Sequence, residues 1–227
     1  MITIGFVGAY DKTDLIMYTS KVIAITKRKV LVVDGTLQQK TRYIVPAIFP
    51  TKSYVTEFEG IDFAIGFENL EEIKKYLGGA LDYDIIIYDI DTIETANQFE
   101  IKKCDKNFFA TSTDTYSLRK GVEILSSIDE NTEFNKILFS NYEIKEEEKY
   151  IEYLLLGKKI QWKETLFFPV LIDDYSVSIE NRTVSKIKMK KLSSTYKDGL
   201  IYLITNILGE ASANEVKKAI KIAERDS

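Results

Sequence analysis

The chain has 227 residues, of which 45% are hydrophobic and 29% charged, and its net charge is −4. This composition is typical of one globular domain and excludes collagen, coiled-coil and disordered chains. The chain contains no histidine, which excludes Ser-His-Asp triads, imidazole bases and histidine-ligated metals. A single cysteine, Cys104, excludes an intrachain disulfide framework and is typical of a reducing compartment.

Strand and helix patterns alternate from the first residue. An apolar run predicts a strand over residues 2–7, and helical spacing follows over residues 14–27. A second strand is predicted over residues 30–33, after which the pattern is less regular to about residue 50. No charged n-region or cleavage site precedes the first strand, and no apolar run is long enough to cross a bilayer. We therefore expect a cytoplasmic protein.

The alternation continues to the C-terminus. Further strands are predicted over residues 61–65, 83–89, 106–111, 136–140 and 161–168. Further helices are predicted over residues 69–77, with Asn69 as its cap, and over 115–128, 143–156, 193–208 and 212–225. Strands separated by helices of this length predict a single α/β domain over residues 1–227, with a mainly parallel sheet of about seven strands covered on both faces.

The turn after the first strand carries the residues of a phosphate-binding loop. Such a loop needs glycines so that its N–H groups can surround an anion, then a lysine and a Ser/Thr hydroxyl. Lys12 and Thr13 supply the last two, and Gly8 is a remaining glycine. Asp11 stands where a glycine should precede the lysine, and its carboxylate would repel phosphate. In an alternative interpretation, Thr13 or Asp14 simply caps the helix.

Other motifs follow this loop in a recognisable order. Asp34 ends the second strand, and residues 83–89 are similar to a Walker B strand. Residues 111–119 resemble the strand-loop-helix segment of the same family, Asn141 follows the next strand, and residues 171–177 resemble a late Ile-Pro-Xaa-Asp-Xaa-Xaa-Val segment. In this order and spacing the motifs cover nearly the whole chain, and they resemble the MinD/ParA class of deviant-Walker P-loop ATPases.

The resemblance implies a set of site residues. Lys12 would bind phosphate, Asp34 would lie near the attacking water, and Asn141 would contact adenine. The full set consists of the nucleotide-binding residues Gly8, Asp11, Lys12, Thr13 and Asn141, the catalytic acid Asp34, and the magnesium-site residues Thr13 and Asp89.

Departures from the family pattern are concentrated where catalysis would occur. Val7 stands in place of the family's signature lysine, which reaches across a dimer to the partner's phosphates. Thr36 stands in place of an acid, Asp11 in place of a glycine, and Asp91 where a proline often follows Walker B. Because phosphoryl transfer depends on positioning and charge stabilisation, these changes indicate a degenerate site. The expected cofactor is none, or weakly bound Mg-ATP.

The resemblance and its departures favour a pseudo-ATPase that acts as a positioning or scaffold protein. It would be similar to the atypical TadZ/CpaE-type relatives that serve pilus, secretion, conjugation or other cell-envelope machinery. The alternative is a weak ATP-binding dimerisation switch in plasmid, chromosome or septum positioning. The expected partners are proteins, and the family implies a homodimer.

The C-terminal region is basic. Residues 182–227 carry ten Lys/Arg against five Asp/Glu, which indicates either a solvated helical face or a contact surface. DNA binding through this region is a third hypothesis, although the chain as a whole is acidic. The alternation of basic and apolar residues over 186–191 is typical of an edge strand or a surface contact. The last helix superficially resembles a MinD membrane tail, but it lacks Trp, Phe or Leu anchors, so we expect it to dock on the domain or be solvated.

Overall fold

The computed structural model describes residues 1–47, 51–128, 132–140, 145–156 and 160–225. These residues form one eight-stranded sheet covered by helices on both faces. The strands are β1 (Ile2–Val7), β2 (Val30–Asp34), β3 (Tyr54–Phe58), β4 (Ile61–Ile65), β5 (Ile85–Ile90), β6 (Lys106–Ser112), β7 (Glu133–Phe139) and β8 (Gln161–Phe168).

Eight α-helices lie in the described part of the chain. They are α1 (Thr13–Ile25), α2 (Leu70–Tyr76), α3 (Ile93–Gln98), α4 (Thr115–Ser127), α5 (Lys145–Leu154), α6 (Ile172–Val184), α7 (Ser194–Leu208) and α8 (Ala213–Arg225). Asn69 caps α2 as predicted, because its side chain accepts a hydrogen bond from the Glu72 amide. Among the described helices, none is long and apolar enough to span a membrane.

The strand order is β3-β4-β2-β5-β1-β6-β7-β8, and every neighbouring pair is parallel except β3 with β4. The central strands β1, β2 and β5 are almost wholly buried, as their continuous apolar sequences require. One face of the sheet packs against α1, α7 and α8 with Val177 of α6, and the other packs against residues of α2 to α5. The carboxyl ends of β1, β2 and β5 therefore meet at one edge.

The structure confirms the α/β class and the mainly parallel sheet, and it adds elements that the sequence patterns did not predict. The sheet has eight strands because β3 pairs with β4 in an antiparallel hairpin. The helices α3 and α6 are also additional. Residues 186–191 do not form an edge strand: Ile187 and Met189 are buried in an irregular segment, and Asn181 hydrogen-bonds to the backbone of Lys188.

Candidate functional site

The candidate site lies where β1, β2 and β5 end side by side. Asp34 and Asp89 are register partners on β2 and β5, so their side chains project from the same face of the sheet. The loop from Gly8 to Lys12 connects β1 to α1, and its last residue contacts Asp89. The topology thus brings the predicted residues Gly8, Asp11, Lys12, Thr13, Asp34 and Asp89 to one edge.

Gly8 is required by the fold itself. Its φ of 141° is in the region that favours glycine, and a Cβ at this position would lie 2.1 Å from the carbonyl oxygen of Ala110 on β6. Its amide donates to the carbonyl of Ile90 on β5 at 3.0 Å. A glycine at this position is therefore explained by close strand packing, whether or not the loop binds a phosphate.

Lys12 forms a buried ion pair with Asp89. The Lys12 Nζ lies 2.7 Å from Asp89 Oδ1, with side-chain exposures of 2% and 4%, and it also donates to the Gly8 carbonyl at 2.8 Å. Burial raises the pKa of Asp89 to about 7, since the nearby charge of Asp34 adds to desolvation and the Lys12 ammonium only partly opposes them. The ammonium that would bind phosphate is therefore engaged by groups of the chain itself.

Asp11 occupies the start of α1. Its carboxylate accepts the Thr13 amide at 3.2 Å and forms an ion pair with Lys40 at 2.8 Å. Burial opposes its ionisation, but the hydrogen bond and charge of Lys40, with the Thr13 hydrogen bonds, outweigh burial and lower the pKa of Asp11. The helix is capped neither by Thr13 nor by Asp14, which pairs instead with Arg182 at 2.7 Å. An N-terminal amide that could serve a phosphate thus serves an internal carboxylate.

Asp34 organises the loop after β2. One carboxylate oxygen accepts the amide and hydroxyl of Thr36 at 3.0 and 2.6 Å, and the other accepts the Thr41 amide at 3.1 Å. Asp91 accepts the Leu37 amide at 2.9 Å and so joins this loop to the end of β5. Asp34 is buried and does not line the neighbouring cleft, whereas Thr36 does. Asp34 therefore stabilises the loop through these hydrogen bonds, and its catalytic role stays a prediction.

A cleft of about 210 Å³ opens between these loops. This volume is below the roughly 300–1,000 Å³ of small-molecule pockets. Each lysine that lines it is paired with a carboxylate: Lys12 with Asp89, Lys40 with Asp11, and Lys120 with Glu123. In the described residues, no group of three or more Asp, Glu or Cys side chains is placed to hold a metal ion. While these ion pairs persist, the cleft offers a nucleotide's phosphates no uncompensated lysine among the described residues.

Two further sequence predictions concern Asn141 and Val7. Asn141, the predicted adenine contact, lies outside the described residues. Val7 is buried in the core, so the position of the family's signature lysine holds an ordinary packing residue. Lys40 was not predicted as a site residue, since the irregular stretch in which it lies gives no signal that it would pair with Asp11.

A larger groove, of about 960 Å³, lies at the opposite edge of the sheet, by the amino ends of β6 to β8. Its charged groups are engaged within the chain. Lys163 pairs with Glu133, Lys106 donates to the Asn206 carbonyl, and Glu164 accepts from the Tyr202 hydroxyl. This groove is larger than the cleft at the carboxyl edge, but these charged side chains already have partners within the chain.

The terminal helix α8 is docked on the domain. Its apolar face of Val216, Ala219, Ile220 and Ala223 is buried, and α8 packs against α1 and α7. Of the two expectations for this helix, docking on the domain and exposure to solvent, the structure shows docking.

The basic face of α8 points to solvent. Its two described acids, Glu215 and Glu224, pair with Arg28 and Lys197. The four basic residues of α8 are exposed and have no ion-pair partner in the part of the chain that the structure describes: Lys217, Lys218, Lys221 and Arg225.

Comparison with known proteins finds similarity in structure only. No protein-family model matches the sequence, and no curated protein does. A ParA family ATPase from Chlorobium tepidum superposes with a TM-score of 0.59 at 17% identity, over 88% of this chain and 96% of that one. MinD in the MinC:MinD complex of Aquifex aeolicus gives 0.54 at 15% identity, over 90% and 96%. An ATP complex of McdA from Cyanothece gives 0.51 at 12% identity, over 99% and 95%. At these identities the likeness establishes the fold: the chain has the eight-stranded, mostly parallel α/β fold of ParA/MinD-type P-loop ATPases.

Proposed function

We propose that this protein is a pseudo-ATPase of the ParA/MinD type that works through protein contacts, as a positioning or scaffold protein. The observation that carries the proposal is the internal neutralisation of the phosphate loop. Asp89 pairs with the phosphate lysine, and Asp11 accepts the Thr13 amide while pairing with Lys40. Carboxylates of the chain thus take the contacts that a nucleotide's phosphates would need.

The charge of Asp11 sets the magnitude of the effect. A carboxylate and a phosphate charge about 4 Å apart repel by about 4 kcal/mol at an effective dielectric constant near 20. Lys40 offsets part of this repulsion while its ion pair with Asp11 persists, so about a thousandfold loss of affinity is the upper limit. Binding would also have to separate Lys12 from Asp89, a buried pair whose disruption is costly. Both terms favour a site that holds no nucleotide at cellular concentrations.

The similar structures support a protein-binding role. One of these structures is the MinC:MinD cell division protein complex, in which a protein of this fold binds another protein. Within this class, we favour a protein of the TadZ/CpaE type in the cytoplasm, which would localise pilus, secretion, conjugation or other cell-envelope machinery. A homodimer is expected from the same family.

The second candidate is a weak ATP-binding dimerisation switch. The McdA structure contains ATP, and Lys12 and Thr13 retain the residue types of the loop. The Asp11 and Lys40 side chains are partly exposed, so they can rotate out of the cleft without unpacking the core. The switch would require that movement before ATP binds.

A further candidate is association with DNA through α8. The four unpaired basic residues named above favour an anionic partner, whereas the net charge of −4 opposes one. A gel shift at two salt concentrations tests this role, and absence of a shift at low salt would dismiss it.

Calorimetric titration of the protein with Mg-ATP tests the leading proposal. We expect no binding stronger than about 1 mM, because the loop contacts are occupied. Micromolar binding that is lost in Lys12→Ala would overturn the pseudo-ATPase proposal and support the switch. Far-ultraviolet circular dichroism of the variant verifies that its fold is intact.

A further inference from the structure

Helix α6 presents an uncovered apolar stripe. Ile172, Tyr175 and Ile179 are 83%, 63% and 47% exposed, and their spacing places them on one face of the helix. Val170 and Leu171 extend the exposed apolar surface just before the helix begins. Contiguous apolar surface of this kind, in contrast to scattered exposed residues, marks interaction sites.

The opposite face of α6 is held firmly. Asp174 accepts the amide and hydroxyl of Ser193 at 2.6 and 2.8 Å. Asn181 donates to the Tyr18 hydroxyl and bonds to the backbone of Lys188. Val177 is buried in the core. The stripe is therefore displayed on a fixed platform, which reduces the ordering cost of binding.

An aromatic cavity of about 100 Å³ adjoins the N-terminal end of the stripe and shares Tyr175 and Leu171 with it. Its lining includes five aromatic rings and three carboxylates and no lysine or arginine: Tyr10, Tyr18, Phe139, Tyr175, Tyr196, Asp11, Asp14 and Asp174.

The charge at this end of the stripe is negative. Asp14 and Asp11 pair with Arg182 and Lys40, whereas Asp174 accepts hydrogen bonds from the neutral amide and hydroxyl of Ser193 and has no ion-pair partner among the residues that the structure describes. Asp173, exposed in the first turn of α6, has no ion-pair partner within the described ranges.

We propose that the α6 stripe and this cavity form a docking site for a helical segment of a partner protein, whose apolar residues cover the stripe and whose lysine or arginine enters the cavity. An ammonium or guanidinium group gains from the aromatic faces and from the charges of Asp173 and Asp174. The inference rests on the proposed function in one respect, that the protein acts by binding other proteins. It does not depend on whether ATP binds.

Charge favours this occupant over a membrane. Interfacial helices that bind anionic lipids carry Lys and Arg around their apolar face. Here the first turn of the helix carries Asp173 and Asp174, and the basic residue Arg182 is already paired with Asp14.

Selection of displayed random peptides on the purified protein tests the proposal. We expect the selected peptides to carry apolar residues at helical spacing with one lysine or arginine near an end. Fluorescence anisotropy then measures their affinity for the protein and its variants. Ile179→Ser should weaken binding by about tenfold or more. Acetylation of the peptide's lysine should weaken it to a similar extent.

Ile222→Ser on α8 is the matched control, since Ile222 is 44% exposed and lies on another helix. It should leave peptide affinity unchanged. The proposal is overturned if no peptide is selected, if the peptides lack a basic residue, or if Ile179→Ser binds them as well as the unmodified protein. Light scattering that shows a dimer dissociated by Ile172→Ser would assign the stripe to a second copy instead. Sedimentation with phosphatidylglycerol vesicles that Ile172→Ser abolishes would assign it to a membrane.

Discussion

Replacement of Lys12 by methionine separates an internal role of this lysine from a role in ligand binding. The ammonium and the Asp89 carboxylate lie 2.7 Å apart and are almost fully buried. At an effective dielectric constant near 20, charges at that distance attract by about 6 kcal/mol. Removing one partner of a buried pair typically costs about 3–5 kcal/mol. We expect Lys12→Met to lower the free energy of unfolding by that amount at pH 8, where Asp89 is ionised, without any ligand present.

The pH dependence gives the same prediction a second readout. Because the pKa of Asp89 is raised from its ordinary value of 3.8 to about 7, the folded protein holds a proton that the unfolded chain releases. This group therefore lowers stability as the pH rises from about 4 to 7. Without Lys12 that pKa rises further, so the loss continues above pH 7. The cost of Lys12→Met should be larger at pH 8 than at pH 5, measured by urea denaturation.

Two controls accompany this measurement. The double variant Lys12→Met/Asp89→Asn should recover most of the stability, since it removes both buried charges. Lys120→Met removes a lysine of the same cleft whose pair with Glu123 is exposed, and it should leave the free energy of unfolding unchanged within experimental error. A Lys12→Met cost below about 1 kcal/mol at pH 8, with no pH dependence, would refute the reasoning.

Three other substitutions probe the supports of the site. Gly8→Ala should cost more than about 3 kcal/mol, because the new methyl group would meet the Ala110 carbonyl at a strained φ; an unchanged thermal midpoint would show that the strand can move away. Asp34→Ala should cost about 2 kcal/mol or more, because it leaves the buried Thr41 amide and the half-buried Thr36 amide unpaired; a change within error in urea denaturation would contradict this. Asn181→Ala should cost about 2 kcal/mol, since it removes the bonds that fix α6, and equal hydrogen-exchange protection of Lys188 in variant and parent would contradict it.

Much of the fold could be predicted from apolar periodicity, because the parallel strands are buried on both faces. Apolar periodicity did not predict elements whose apolar residues are not all buried, or that depend on an unusual turn. The helix α6 shows Ile172 and Ile179 to solvent, so its apolar residues do not mark a single buried face. The strand β3 depends on a tight turn at Glu59 and Gly60, both with positive φ, and glutamate is an unusual residue for such a turn.

The location of the candidate site could be predicted from the sequence, but the ion pairs within it could not. The order of motifs placed Lys12 and Asp89 at one edge of the sheet, as the register confirms. The pairing of Asp11 with Lys40 joins residues from separate loops, and no local pattern encodes such a contact. The presence of Asp11 in place of a glycine led us to predict repulsion of phosphate. The structure adds that the Asp11 carboxylate accepts a hydrogen bond from the Thr13 amide.

The affinity of Asp11→Gly for Mg-ATP, measured by calorimetry beside that of the unmodified protein, tests most directly whether the chain's own carboxylates hold the phosphate contacts. The substitution removes the negative charge, frees the Thr13 amide and leaves Lys40 unpaired. The account predicts that the variant binds at least about tenfold more tightly, since relief of even part of the repulsion exceeds about 1.4 kcal/mol. Equal or weaker binding by Asp11→Gly would contradict it.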